Sequence, residues 1–142
     1  MSISNLNLEW RFENNLVKYS DSLMAMEERA IAIYEKKKKS LIWVLEHPPI
    51  YTAGISSNDN DLLNDSGIEV VKTNRGGKYT YHGPGMKIIY TMLDLKQLFS
   101  PFDPDISRFV EFLENWIIAV LLQYNIVAEI KKGRVGLWVN TS

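Results

Sequence analysis

The chain has 142 residues, 46% of them hydrophobic, a formal net charge of -1 and no cysteine. This profile is typical of a compact folded protein, and it excludes disulfides, thiolate metal sites and thioester chemistry by the chain's own residues. The apolar run from Trp116 to Leu122 is far shorter than the roughly 20 residues that span a bilayer, and residues 1–10 lack a signal-peptide pattern. We therefore expect a cytoplasmic protein that binds neither membranes nor nucleic acid.

The N-terminal segment predicts a strand followed by a helix. Apolar and polar residues alternate from Leu6 to Phe12, which is the period of a half-buried strand. A helix is expected to begin at an N-cap on Ser20 or Asp21 and to end near Ser40. The lysine run 36–39 would then lie at the negative end of the helix dipole.

Two further strands are predicted before the middle of the chain. The continuous apolar run Leu41–Leu45 is typical of a strand that is covered on both faces. His47 and the two prolines after it end this strand, and we expect the histidine ring to be structural and bonded to backbone. Ile50–Ala53 reads as a short extended piece, 56–67 as a surface loop and Ile68–Val71 as another strand.

The next strand carries alternating side chains. In an extended 79–82 segment, Lys78, Thr80 and His82 lie on one face and the two tyrosines on the other. A glycine-proline-glycine turn ends this strand, and 87–93 begins the next one.

The last third predicts a helix and a hairpin. Asp103 and Pro104 form a good N-cap and first helical position, and apolar residues at helical spacing continue to Tyr124. Strands at 126–130 and 135–139 would flank a tight turn at 131–134. Short strands with two amphipathic helices indicate an α/β fold, a mixed sheet with packed helices, in a single domain over residues 1–142.

The chemically distinctive segment runs from Arg75 to Gly85. Gly76 and Gly77 allow a ligand to approach the backbone closely, and Arg75 beside them could hold an anion. The spacing matches neither a P-loop nor a dinucleotide-binding fingerprint. Taken alone, such a segment is more often a glycine-rich hairpin beside a core histidine than a ligand site, because short motifs match frequently by chance.

A wider set of residues resembles the signature of the octanoyltransferases of lipoate biosynthesis. The resemblance comprises Arg75-Gly76-Gly77, Thr80, His82-Gly83-Pro84-Gly85, Tyr90 and Asp94-Leu95, with Trp43, Glu46-His47, Pro49, Tyr51-Thr52 and Gly54 upstream and 135–139 downstream. It extends from about residue 41 to the end of the chain. Two positions depart from the usual pattern, Met86 in place of glutamine and Thr91 in place of proline.

The resemblance implies the catalytic-domain fold of biotin and lipoate protein ligases, incomplete at the C-terminus, and a set of site residues. Substrate-binding residues would be Arg75, Gly76, Gly77, Lys78, Tyr79, Thr80, Tyr81 and His82, with Gly83, Pro84 and Gly85 shaping the turn that follows. We expect Gly77 and Thr80 to lie against the acyl pocket. No cofactor or metal is implied.

The resemblance also implies chemistry that this chain lacks residues to perform. The family transfers octanoyl from acyl carrier protein to a cysteine, assisted by a lysine, and then to a lysine of a lipoyl domain. Both catalytic residues would lie beyond Ser142, and no Gly-x-Ser-x-Gly elbow offers a serine instead. The implied partners are octanoylated acyl carrier protein, the lipoyl domains of 2-oxoacid dehydrogenases and the glycine cleavage H protein.

Two alternatives remain open at this point. The chain could be a non-catalytic remnant that binds acyl groups or carrier protein, or it could resemble the ATP-dependent lipoate ligases. The basic runs 36–39 and 131–134 would suit an acidic carrier protein, although each is also typical of a solvated helix end or hairpin tip. We further expect poor solubility of the isolated chain, because residues 135–139 would leave an uncovered sheet edge.

Overall fold

The computed structural model describes residues 6–63, 67–134 and 136–140. The mixed helix and strand composition agrees with the predicted α/β class. The chain forms two compact units, Met1–Leu98 and Phe99–Ser142, and the single-domain assignment stays a prediction. The elements are β1 Leu8–Phe12, α1 Tyr19–Tyr34, β2 Ser40–Leu45, β3 Ile50–Ala53, β4 Val70–Lys72, β5 Tyr79–His82, β6 Ile88–Met92, α2 Leu95–Phe99, α3 Ile106–Leu122, β7 Ala128–Ile130 and β8 Leu137–Val139.

The first unit contains two three-stranded sheets, ordered β1-β2-β6 and β4-β3-β5. Each sheet is mixed, because its central strand pairs parallel with one neighbour and antiparallel with the other. The predicted two-sided burial of β2 is confirmed, since five of its six residues are buried. Leu41, Trp43 and Leu45 pack with Ile33 of α1 and Met92 of β6 in the core.

The chain passes between the two sheets twice. Residues 46–49 lead from β2 to β3, and residues 83–87 lead from β5 back to β6. The strands on either side of the glycine-proline-glycine turn therefore belong to different sheets and do not form a hairpin. The geometry of the site depends on these two connections, because both carry residues of the predicted motif.

The predicted bounds of α1 are wrong at both ends. The helix begins at Tyr19, and its N-cap residue Lys18 makes no side-chain capping bond. It ends at Tyr34, because Lys36 adopts a left-handed conformation with φ of 59°. The lysines 36–39 therefore follow the helix, and Lys36 forms an ion pair with Asp94.

The part of the chain from α2 onward differs from the prediction in two places. Asp105, not Asp103, is the N-cap of α3 and accepts a hydrogen bond from the amide of Arg108. The short helix α2, at the boundary between the units, was not predicted. The antiparallel pairing of β7 and β8 is confirmed, but Val135 lies outside the described residues.

Exposed apolar side chains in the second unit lead to a first prediction. Val139 is 46% and Ile130 45% exposed on the two strands of the hairpin, and a two-stranded ribbon leaves unpaired edges. We expect the 142-residue chain to associate at high concentration, which light scattering coupled to size exclusion would show as an apparent mass of at least a dimer. Val139→Lys should reduce this association. A monomer that melts cooperatively at high concentration would contradict the prediction.

Within the residues that the structure describes, no helix has the length and apolar character needed to cross a membrane.

Candidate functional site

The strand pair β3 and β5 forms the base of the candidate site. Thr52 lies opposite Thr80 and Ile50 opposite His82 in the antiparallel register. Cross-strand partners point to the same face of a sheet, so Thr80 and His82 share a face, as the alternation predicted. Tyr51 and Tyr81 contact each other on the opposite face, with ring centroids 5.4 Å apart.

Arg75 lies over this face and is held by neutral oxygen atoms. Its Nη2 donates to the carbonyl oxygen of Thr52 at 2.6 Å, to the Thr52 hydroxyl at 2.7 Å and to the Thr80 hydroxyl at 3.0 Å. Its Nη1 donates to the Gly76 carbonyl oxygen at 2.9 Å. Among the described residues, no carboxylate forms an ion pair with Arg75. The guanidinium is therefore fixed in position and retains an unbalanced positive charge.

The loop after β3 is hydrogen-bonded to the glycine segment of the motif. The amides of Gly54, Ile55 and Ser56 donate to carbonyl oxygens of Lys78, Arg75 and Gly77, at 3.2, 2.9 and 3.1 Å. This close approach requires glycine at position 54, because a Cβ there would lie 2.3 Å from the Gly77 carbonyl oxygen.

His47 is fully buried beside this strand pair, and both of its ring nitrogens are bonded. Nδ1 lies 2.6 Å from the carbonyl oxygen of Val17, and Nε2 lies 2.8 Å from the hydroxyl of Tyr90. A carbonyl oxygen can only accept, so Nδ1 donates to Val17, and in the neutral tautomer Nε2 then accepts from Tyr90. The bond to backbone agrees with the structural role that the sequence predicted for this histidine.

The face of β3 and β5 that carries Thr52, Thr80 and His82 is called the polar face below. On this face, His82 lies among aromatic rings. Its ring centroid is 5.8 Å from that of His47 and 6.2 Å from that of Tyr19. Burial lowers the pKa of His82 below its ordinary value of 6.5, and the neighbouring His47 and the charge of Arg75 lower it further, against a hydrogen bond to the Thr80 backbone. His82 is therefore a neutral ring at neutral pH, and its Nδ1 is buried without a hydrogen-bond partner among the described residues.

Glu46 connects the two passages between the sheets. One carboxylate oxygen accepts from the amide of Gly85 at 2.7 Å, and the other pairs with Lys87 at 2.7 Å. The hydrogen bond to Lys87 is the largest cause that lowers the pKa of Glu46, and the hydrogen bond from the Gly85 amide is the next largest. Because Gly85 has a φ of +88°, which disfavours other residues, the turn after His82 is constrained by both conformation and contact.

The remaining motif residues have less direct roles in the polar face. Lys78 pairs with Asp61 at 3.0 Å, and the side chain of Tyr81 packs against Gly83, where a Cβ would lie 2.2 Å from the tyrosine hydroxyl. Tyr79 is partly buried, while Pro84 is exposed.

The prediction that Gly77 and Thr80 contact an acyl chain stays a prediction. Both residues are exposed. A cleft of about 340 Å³ lies nearby, lined by Lys18, Tyr19, Ser20, Pro48, Pro49, Ile50, Glu69 and Val71, and no residue of the segment from Arg75 to Gly85 contributes to its lining. Tyr19 and Ile50 line this cleft and also contact or pair with His82, so the cleft adjoins the His82 end of the polar face.

The described residues contain no cluster of three or more histidine and acidic side chains able to hold a metal ion. What the polar face offers instead is a fixed cation at Arg75, a neutral imidazole at His82 and an open approach to the backbone at Gly76, where a Cβ would meet nothing within 4 Å. Such a set can orient a polar, electron-rich group, such as a carbonyl or carboxylate, at the head of an apolar ligand.

Comparison with known protein families identifies the family to which this chain belongs. The family model for the lipoyl protein ligase A/B catalytic domain matches residues 19–142, and the chain belongs to this family. The octanoyltransferase of Chelativorans sp. strain BNC1 is 48% identical over 132 residues, which cover 93% of this chain and 52% of that protein. The octanoyltransferase of Wolbachia pipientis from Culex pipiens is 46% identical over 132 residues, covering 93% of this chain and 62% of that protein.

The chain thus spans roughly half to two-thirds of the length of the curated relatives it matches. Among solved structures, the bi-partite lipoate protein ligase of Thermoplasma acidophilum matches with a TM-score of 0.59 at 17% identity, covering 89% of this chain and 49% of that one. The LipL1 protein of Plasmodium falciparum, solved with lipoate, gives a TM-score of 0.56 at 16% identity, covering 94% and 40%. These likenesses confirm the predicted fold class.

Tyr19 was not identified from the sequence as a neighbour of the two histidines. Tyr19 contacts both histidine rings, and burial raises its pKa. The prediction placed the helix N-cap on the next residue or the one after it, so Tyr19 fell outside the helix. The observed N-cap, Lys18, lies two or three residues before the predicted one and makes no side-chain capping bond, so no capping pattern in the sequence indicated this start.

Proposed function

We propose that this chain is the acyl-binding part of an octanoyl-[acyl-carrier-protein]:protein N-octanoyltransferase. The donor would be octanoylated acyl carrier protein in the cytoplasm. The acceptors would be lysines of lipoyl domains in 2-oxoacid dehydrogenases and in the glycine cleavage H protein. The family assignment and the names of the relatives at 48% and 46% identity support this proposal.

The observation that carries the proposal is the environment of Arg75. Hydrogen bonds to neutral oxygens fix its guanidinium without neutralising it. An acyl head group brought beside Gly76 would meet this cation and the neutral ring of His82. The two groups would orient the acyl carbonyl, while the exposed backbone at Gly76 and Gly77 leaves room for the chain.

The covalent steps would be performed by residues outside these 142. In the transferases, a cysteine thiolate attacks the thioester carbonyl and releases the carrier thiol. The acceptor lysine amine then attacks the acylated cysteine and releases it as a thiol. This chain has no cysteine, and an alcohol needs a strong local base to act as a nucleophile at neutral pH. We therefore assign binding, and not acyl transfer, to the residues described above.

Octanoate binding tests this assignment. In an NMR titration of the chain with sodium octanoate, we expect the largest amide shift changes at Gly76, Gly77 and Thr80, with weak affinity, in the millimolar range or near it. Changes confined to the cleft beside Tyr19, or no binding at all, would contradict the assignment of the motif as the acyl site.

Intact-mass measurement tests the chemical part of the proposal. After incubation with octanoyl carrier protein, the chain should show no octanoyl adduct that neutral hydroxylamine removes, because it has no thiol to form a thioester. A hydroxylamine-labile adduct, or transfer of octanoyl to a lipoyl domain by this chain alone, would show that the account of the covalent steps is wrong.

A further inference from the structure

The orientation of His82 is not set by the hydrogen bonds of its own Nδ1. This atom is buried and has no hydrogen-bond partner within the described ranges. Burying an unpaired polar atom is unfavourable, so the ring is held by its hydrogen bond to the Thr80 backbone and by packing against neighbouring rings. The ring of His47 provides that packing, because it meets His82 edge to face at an interplanar angle of 78°.

His47 itself cannot turn without losing hydrogen bonds. Its two ring nitrogens are bonded to different elements, Nδ1 to Val17 before α1 and Nε2 to Tyr90 in β6. A rotation of the ring by half a turn would place carbon atoms where the nitrogens now lie. Because the side chain is fully buried, no solvent can replace the lost partners. His47 therefore has one favourable ring orientation.

Tyr90, which forms one of the two hydrogen bonds to the His47 ring, belongs to the sheet β1-β2-β6. It lies opposite Trp43 in the register of β2 and β6, while His82 belongs to β5 in the second sheet. Tyr90 of the first sheet therefore contacts His47 by a hydrogen bond, and His47 contacts the ring of His82 in the second sheet.

We propose that Tyr90 and His47 are positioning residues: their hydrogen bond fixes the ring of His82 in one orientation before a ligand binds at the polar face. The identity of that ligand, an acyl group, rests on the function proposed above. The positioning itself concerns the free protein and can be tested without any ligand.

Tyr90→Phe is the decisive variant, because it removes one oxygen atom and keeps the ring. In the ligand-free protein, we expect the carbon-bound ring protons of His82 to shift or broaden in NMR spectra, since His47 has lost the partner of its Nε2. The affinity for octanoate should fall about fivefold, the factor expected for one lost net hydrogen bond.

Two control variants separate positioning from general destabilisation. Tyr51→Phe removes a hydroxyl from the opposite face of β3 and should leave the His82 signals unchanged. Met92→Ala destabilises the same strand as Tyr90 from within the apolar core, and it should lower the melting temperature without changing those signals. If Tyr90→Phe leaves the His82 signals as in the wild type, or if Met92→Ala alters them equally, the positioning role is wrong.

The two proposals fail in different ways. If the wild-type chain does not bind octanoate while Tyr90→Phe still changes the His82 ring signals, the acyl-binding function is wrong and the positioning role stands. If octanoate binds at Gly76 and Gly77 in both proteins with equal affinity, and the ligand-free His82 signals are also equal, the function stands and the positioning role is overturned.

Discussion

Replacing Gly54 by alanine is expected to destabilise the protein strongly, by about 2 to 4 kcal/mol. A Cβ at this position would lie 2.3 Å from the carbonyl oxygen of Gly77 and 2.9 Å from that of Gly76. Both atoms belong to the backbone, so neither can move aside as a flexible side chain would. The loop would have to separate from the glycine segment and lose hydrogen bonds such as that from Ile55 to Arg75.

Gly76→Ala is the matched control for this substitution. It lies in the same segment, but its Cβ would meet nothing within 4 Å and its φ is not in the left-handed region. We expect a change of less than about 0.5 kcal/mol for this variant, as for ordinary surface substitutions. Urea unfolding followed by circular dichroism measures both values. Equal free energies of unfolding for the two variants would show that the close approach at Gly54 does not limit stability.

Local patterns in the sequence predicted most of the elements near the site. The apolar run of β2 and the alternation of β5 each describe one strand and its faces, and both depend on neighbouring residues alone. The ends of α1 were missed for a local reason as well. Lysines 36–39 favour a helix by propensity, but Lys36 takes a left-handed conformation that no residue type in the run indicates.

The assembly of the site could not be predicted in the same way. The bond between His47 and Tyr90 joins residues 43 positions apart, and that between Arg75 and Thr52 joins residues 23 positions apart. Such contacts depend on how the sheets pair. The turn after His82 has the composition of a hairpin turn, yet the strands on its two sides enter different sheets. A family resemblance identified the motif residues, but the contacts that hold them follow from the structure.

The charge of Arg75 should govern the titration of His82. Its positive charge and the neighbouring His47 add to burial in lowering the pKa of His82. Arg75→Met removes this charge, so we expect the pKa of His82 to rise toward the ordinary value of 6.5. Arg75→Lys retains the charge and should keep the pKa lowered. NMR titration of the carbon-bound ring protons of His82 measures the midpoint in all three proteins.

The sign of the stability effect follows from the direction of this shift. Because the folded pKa of His82 lies below 6.5, the unfolded chain binds a proton more readily than the folded chain does. The free energy of unfolding therefore decreases as the pH falls from the unfolded pKa through the lower folded pKa. In Arg75→Met the folded and unfolded pKa values of His82 are closer, so the free energy of unfolding should decrease less over this pH range. The variant should also be less stable than the wild type at pH 8.

The octanoate affinities of two Arg75 variants distinguish the contribution of the positive charge from that of the hydrogen-bonding geometry of the guanidinium. The Nε and Nη2 donors of Arg75 are already bonded to Thr52 and Thr80, and one Nη1 donor to Gly76. A carboxylate would therefore meet a fixed charge and one remaining N–H donor, whereas a lysine ammonium is a mobile point charge. We expect Arg75→Met to weaken octanoate binding at least about tenfold, the factor that corresponds to a lost hydrogen bond to a charged group, and Arg75→Lys to retain part of the affinity. Unchanged affinity in Arg75→Met, with His82 titrating as in the wild type, would show that the guanidinium serves the fold alone and that the acyl head group binds elsewhere.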